Sequence, residues 1–221
     1  GKGPGSHLLS GSVMRPGPFK ELFPDAAPGE TPGVYTEVKH ESVYFLRKNG
    51  KTKIPTPPDL NNHGNWVVSI SQLSRFMAET AEEYGAYMLP ETDAQQLLVQ
   101  DGRVVGIKTG DKGRGREGEE LSTFEPGVEV RAKVTVICEG TQGHLAGVVR
   151  DHFQLDQDST QIYELGVKEV WEVEKPLDRV IHTIGWPLKL GSKWREYGGA
   201  WRYPMGGNMV SIGMVVGLDA A

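Results

Sequence analysis

Lys133–Gly147, KVTVICEGTQGHLAG, is the stretch on which the reading of the whole chain turns. Val134, Val136 and Ile137, with Thr135 and Cys138, form a short apolar run that predicts a strand buried on both faces. Glu139-Gly140 ends the run, and Gly143 opens a helix carrying Leu145, Ala146 and Val149. A strand that feeds a helix through a glycine turn leaves backbone N–H groups at the helix start, where an anionic ligand can sit. Gly140 and Gly143 also remove side chains that would block a cofactor. The same pattern fits an ordinary strand–turn–helix of any α/β domain, so the rest of the chain has to decide between the two.

Composition narrows the choice. At 221 residues the chain has room for one large domain or two small ones, each with a real core. A net charge of −5 gives no whole-chain case for binding nucleic acid. The 29 glycines and 14 prolines lie scattered between apolar runs and mark turns of a strand-rich fold. The single cysteine, Cys138, excludes an internal disulfide framework, an all-cysteine zinc site and a cysteine-ligated iron–sulfur cluster held by this chain alone. Within its strand it reads as a small apolar filler. No apolar run approaches the length of a membrane-spanning helix. The chain starts in a Gly/Pro-rich segment without Met and stops just after a strong strand, so both ends read as cut.

Working outward, the apolar segment Gly5–Asp25 carries Leu8, Leu9, Val13, Met14, Phe19, Leu22 and Phe23, with one helical turn over Phe19–Phe23. Tyr35–Val38 and Val43–Arg47 read as strands, and Asn49-Gly50 signals a tight hairpin. Trp66–Ile70 reads as a strand leading into a helix capped by Ser69 or Ser71. Leu73, Phe76, Met77, Ala81 and Tyr84 mark the buried face of that helix, and Gly85 stops it. Tyr87–Leu89 is expected to be a parallel strand. Gln95–Gln100 and Arg103–Thr109 flank the hairpin signal Asp101-Gly102, and the charged Asp111–Glu120 reads as a mobile hairpin tip. Val128–Arg131 returns to the opening strand.

Beyond the helix at Leu145–Phe153, four runs read as one antiparallel sheet: Gln161–Val173, Arg179–Ile184, Trp194–Tyr203 and Met209–Leu218. Trp171, Trp186, Trp194, Tyr197, Trp201 and Tyr203 concentrate there, which suits either a sheet face packed on a helix or a pocket for a flat ring with an apolar tail. The fold class is α+β / α/β: the pattern mixes a partial α/β nucleotide-binding unit with an antiparallel β substrate domain. The strand–helix–strand–hairpin–strand order of Trp66–Gly140 is typical of two-domain flavoproteins, in which the cofactor domain is interrupted by the substrate domain. The primary Gly-x-Gly-x-x-Gly fingerprint is absent from the chain.

Several separated motifs carry a resemblance. They are Leu9-Ser10-Gly11; Phe19–Asp25; Asn61-Asn62-His63-Gly64-Asn65; Ala132–Thr135; Glu139-Gly140 with Gly143–Ala146; Gly185-Trp186-Pro187-Leu188; Tyr197-Gly198-Gly199; and Val215–Asp219. In this order and spacing, from His7 to Asp219, the chain resembles an internal segment of the electron transfer flavoprotein–ubiquinone oxidoreductase family. The resemblance implies a peripheral enzyme of the bacterial or mitochondrial inner membrane, with FAD, a [4Fe–4S] cluster and a ubiquinone site. Such an enzyme takes electrons from reduced electron transfer flavoprotein and gives them to ubiquinone.

Carried over residue by residue, the resemblance makes Gly198 and Gly199 the ubiquinone-contacting pair. Glycine backbone groups can approach a quinone carbonyl closely, where a Cβ would crowd the ring. Ser10 and Gly11 become FAD contacts on one side of the cofactor, and Glu139 and Gly140 on the other. His63, His144 and His182 could serve as proton donors to reduced quinone, yet each reads better as a structural hydrogen-bonder. No catalytic side chain and no metal ligand is assigned, and the cluster ligands are expected outside this chain. The resemblance implies three parts: a flavin-proximal, membrane-dipping segment over 1–34, a partial FAD-binding, glutathione-reductase-like domain with inserted hairpins over 35–150, and part of the ubiquinone-binding sheet over 151–221. On this reading the piece alone is inactive. The alternatives are a geranylgeranyl-reductase-like flavoenzyme acting on a prenyl lipid, and a non-catalytic lipid- or protein-binding module.

Overall fold

The computed structural model describes residues 2–8, 11–141, 143–155, 162–189 and 196–218. In chain order the elements are β1 (Ser12–Met14), α1 (Gly17–Leu22), β2 (Val34–Glu37), β3 (Glu41–Arg47), β4 (Gly50–Ile54), a 3-10 turn at Pro58–Leu60, β5 (Trp66–Val68) and α2 (Ile70–Glu83). There follow β6 (Ala94–Gln100), β7 (Arg103–Thr109), β8 (Lys112–Arg114), β9 (Glu120–Glu125), β10 (Glu129–Arg131) and α3 (His144–Phe153). Last come β11 (Glu164–Glu172), β12 (Val180–Gly185), β13 (Gly198–Pro204) and β14 (Met209–Gly217). The chain is mixed α+β, and it divides into two compact units. One joins Gly1–Met88 with Ile162–Ala221; the other is Leu89–Gln161.

The first unit is layered. β5 pairs antiparallel with both β1 and β2, and all three of its residues are buried. Strand alternation sends Trp66 and Val68 to one side, into a core with Phe19, Ala26, Val34 and Leu73. Val67 points the other way, to Val38 and Val180 with Val13 and Tyr203 packed against them. α1 contributes Phe19, whose ring meets Trp66 edge-on at 6.4 Å. α2 follows β5 directly because Ser69 caps it, accepting the Gln72 N–H at 3.4 Å. Only part of the expected buried face of α2 is covered. Leu73 is in the core, whereas Met77 and Tyr84 line an open groove of about 490 Å³ with Leu22, Phe23 and Phe76.

The large sheet runs β11-β14-β13-β12-β3-β4. The four C-terminal strands pair antiparallel, as expected. The sheet does not end with them: β12 pairs parallel with β3, bringing in the β3–β4 hairpin. The burial of Ser42 and Val43 follows from this interior place for β3. The hairpin itself turns through Lys48-Asn49, with Gly50 already paired to Arg47, so Asn49-Gly50 is not its loop pair. The other hairpin follows its signal, for Asp101 and Gly102 both have positive φ and form the loop between Gln100 and Arg103.

In the second unit, β7 lies between β6 and β10, and α3 packs on β6 with Leu97 and Leu145 buried. The strand expected over 134–138 does not form. Val134 is 74% and Val136 78% exposed, and Cys138 is exposed rather than a core filler. β10 has ended at Arg131, and the Ala132 N–H to Val105 carbonyl bond is the last link to β7. Among the described residues no strand lies beside 133–138, and an apolar run without a pairing partner has no ladder to join. Tyr87–Leu89 fails as a strand in the same way, with Tyr87 93% exposed. The charged tip at 111–120 carries polar contacts of its own. Arg114 binds Asp111 at 2.6 Å and the Gly118 carbonyl at 2.8 Å, and stacks over Phe124. The Asp111 carboxyl is held below its usual range, chiefly by the Gly127 backbone N–H and then by Arg114.

Candidate functional site

Gly198 and Gly199 open β13, opposite Val216 and Val215 of β14. On the other side, β12 pairs with β13 only from Ala200 to Arg202. The glycine pair therefore sits where β13 remains paired to β14 but lies outside the β12 ladder. Gly198 has φ +141°, and a Cβ there would collide with the Val215 carbonyl oxygen. A Cβ on Gly199 would fall 2.5 Å from the Thr183 carbonyl oxygen. Both positions need glycine for this close approach of neighbouring backbone.

The aromatic residues near the pair share one sheet face. Trp201 lies across the bare Cα of its cross-strand partner Gly213, and its indole N–H donates to Ser211 Oγ at 3.3 Å. Trp201 and Tyr203 stack at 5.9 Å. Tyr203 Oη and His182 Nε2 are 2.9 Å apart, while His182 Nδ1 is buried without a hydrogen-bond partner among the described residues. Burial pushes the His182 imidazole below its ordinary value, with Glu41 opposing, and pushes the Tyr203 phenol up to about 12. His182 is thus a neutral imidazole held in the fold.

The other expected site residues are distributed as follows. Ser10 lies outside the described residues. Gly11, with φ +93°, presses on Ser211, where a Cβ would fall 2.6 Å from the hydroxyl oxygen. Gly11 and Gly199 therefore meet β14 at positions four residues apart, about 13 Å along a strand. Glu139 and Gly140 belong to the second unit. The Glu139 carboxylate accepts the Ala146 N–H at 2.8 Å and lies against Gly143. One of the helix-start donors expected to be open is thus already used, and Glu139 caps α3. Gly140, with φ +75°, has open space beside its Cα.

The histidines and the asparagine-rich motif have their own roles. His144 begins α3 on the surface, and His63 sits in an exposed loop. That loop is a clasp: the Asn62 N–H donates to Glu41 Oε2 at 3.1 Å and the Asn62 amide to the Leu60 carbonyl at 2.8 Å. Of the apolar segment at the N-terminus, Phe19, Met14 and Phe23 pack in the core, leaving Leu8 and Leu22 exposed. Among the described residues no helix is long and apolar enough to cross a membrane, and no three metal-binding side chains gather.

This fold is shared with solved structures. A geranylgeranyl bacteriochlorophyll reductase-like protein from Thermoplasma acidophilum superposes with a TM-score of 0.63 at 18% identity, covering 97% of this chain and 48% of that one. A flavin-dependent brominase superposes with a TM-score of 0.55 at 15% identity, again covering 97% and 48%. In sequence the likeness is narrower. Residues 163–221 match the family model described as ETF-QO, ubiquinone-binding. The electron transfer flavoprotein–ubiquinone oxidoreductase of Oryza sativa subsp. japonica is 38% identical over 97% of this chain and 37% of its own length. The human enzyme is 40% identical over 97% and 36%, and the probable enzyme of Schizosaccharomyces pombe 39% identical over 98% and 34%. The chain thus spans about a third of the length of the curated relatives it matches, and the resemblance read from its motifs is borne out.

Proposed function

We propose that this chain is the quinone-contacting part, and a portion of the flavin cradle, of an enzyme that takes electrons from reduced electron transfer flavoprotein and passes them to ubiquinone. The observation that carries the reading is the position of Gly198–Gly199. The pair lies inside the ubiquinone-binding match, just before the β12–β13 register begins at Ala200, with Gly199 close against the Thr183 carbonyl. Backbone N–H groups can donate to a quinone carbonyl there, and such donors stabilise the negative charge that grows on oxygen as electrons arrive. No nucleophile is required. Neutral His182 and Tyr203 support the aromatic face and take no assigned step. The three-part division at 34/35 and 150/151 belongs to the same reading.

FAD, when bound, supplies the electron relay. Gly140 suits a close approach, since its Cα faces open space, and Gly11 offers backbone polar groups beside Ser211. Ser10 is assigned with Gly11 on the strength of the motif. Glu139, assigned beside the cofactor with Gly140, also holds that turn by accepting the Ala146 N–H, which takes up one donor at the start of α3. The [4Fe–4S] cluster takes its ligands from outside this chain, the electron donor is electron transfer flavoprotein, and the parent sits on a membrane surface. The names of mitochondrial and bacterial relatives bear on the compartment alone. The prenyl-lipid reductase reading has only a fold likeness at 18% identity behind it.

The test is Gly199→Val in the full-length protein. Reduction of ubiquinone-1 is expected to stop while reduction of the flavin by its donor continues. Equal loss of both steps would remove the assignment.

A further inference from the structure

Tyr197 immediately precedes the glycine pair, and Gly217 faces it from the end of β14. The Gly217 N–H donates to the Tyr197 carbonyl at 3.0 Å. The Tyr197 ring lies flat over the Gly217 Cα: a Cβ there would collide with Cε1 and Cζ and come 2.8 Å from Cδ1. Trp201 over Gly213 repeats the arrangement four residues along. In both, a glycine on one strand lets an aromatic ring from the next lie across it. The Tyr197–Gly217 contact differs in its place. One residue further, Gly198 has no room for a Cβ against the Val215 carbonyl, so the backbone is confined on both sides of the peptide that enters the pair.

We propose that Gly217 is a positioning residue of the quinone site. Its bare Cα and its N–H clamp Tyr197, and the clamp sets where the Gly198–Gly199 backbone groups stand. The inference rests on the quinone reading of that pair. A side chain at 217 must lift the Tyr197 ring and shift the backbone that follows it. Hydrogen bonds weaken steeply with misalignment, and a displacement of ~1 Å at a reacting centre can cost ~100-fold.

The experiment uses the full-length protein and ubiquinone-1. Gly217→Ala is expected to raise both the KM and the Kd for ubiquinone-1, read by tryptophan fluorescence, about tenfold or more. Flavin reduction by the electron donor stays at its parent rate. Gly213→Ala, which disturbs Trp201 further from the pair, has a smaller effect. Tyr197→Ala, which needs no extra space, raises the Kd as well. An unchanged Kd in Gly217→Ala, or in Tyr197→Ala should the first variant not fold, overturns the proposal. So do equal losses in Gly213→Ala and Gly217→Ala, which would mean general damage to the sheet. If Gly199→Val itself leaves ubiquinone-1 binding intact, the quinone reading fails, and that result is separate from the others.

Discussion

Burial moves the titrations of His182 and Tyr203 in opposite directions, with Glu41 opposing the shift at His182. The folded His182 titrates below the ordinary 6.5, so the unfolded chain takes up the proton first as pH falls. Its contribution to stability is complete above 6.5 and is lost as pH drops through the window below that value. Denaturant midpoints at pH 8 and pH 5.5 should differ more for the parent than for His182→Gln. Tyr203 has the opposite sense: with the folded phenol pushed up to about 12, stability falls as pH rises from 10 towards 12, and Tyr203→Phe should abolish that loss. Gly198 and Gly199 stand out in the sequence because they lie together in a motif, and the structure adds only that neither has room for a Cβ. Gly213 and Gly217 do not stand out, since a glycine that receives a ring is recognisable only once the cross-strand register is known. Cys138 was misjudged because an apolar neighbourhood in sequence is not a buried one in space.

Among the elements, α3 has its cap supplied from outside its own first turn. Glu139 reaches the Ala146 N–H across seven residues, a link that no local capping pattern announces. Glu139→Ala should speed amide exchange of Ala146 about fivefold, as expected for the loss of a helix cap, and leave β6 and β7 unchanged. β5 sits at the other extreme. Val67 has no exposed surface and faces Val38 and Val180. Val67→Ala should cost about 2 to 3 kcal/mol in chemical denaturation, by lost burial plus the cavity left behind. Hairpins and capped helices were readable because their signals are local. The strand over 134–138 was over-read because its composition is right and only the partner is missing. The β3–β12 pairing was missed because nothing in either run names a partner so far along the chain.

For the molecule as a whole, each of the two units carries its own buried residues. The chain passes between them twice, and the first passage, from the end of α2 to the start of β6, exposes Tyr84 and Tyr87. Exposed aromatic residues between compact units are natural protease sites. Brief chymotrypsin treatment should therefore cut first after Tyr84 or Tyr87, and mass analysis of the fragments would check it. A first cut within β13 or β14 would count against the division.

The parallel pairing of β3 with β12 has a consequence during synthesis. The β3–β4 hairpin leaves the ribosome about 125 residues before β12 does. At about 5–20 residues per second, that is a wait of roughly 6–25 s. Throughout it β3, with Ser42 and Val43 destined for burial, offers an unpaired edge to whatever the growing chain meets. The nascent polypeptide is therefore most in need of chaperone protection between the making of its first hairpin and the arrival of Val180–Gly185.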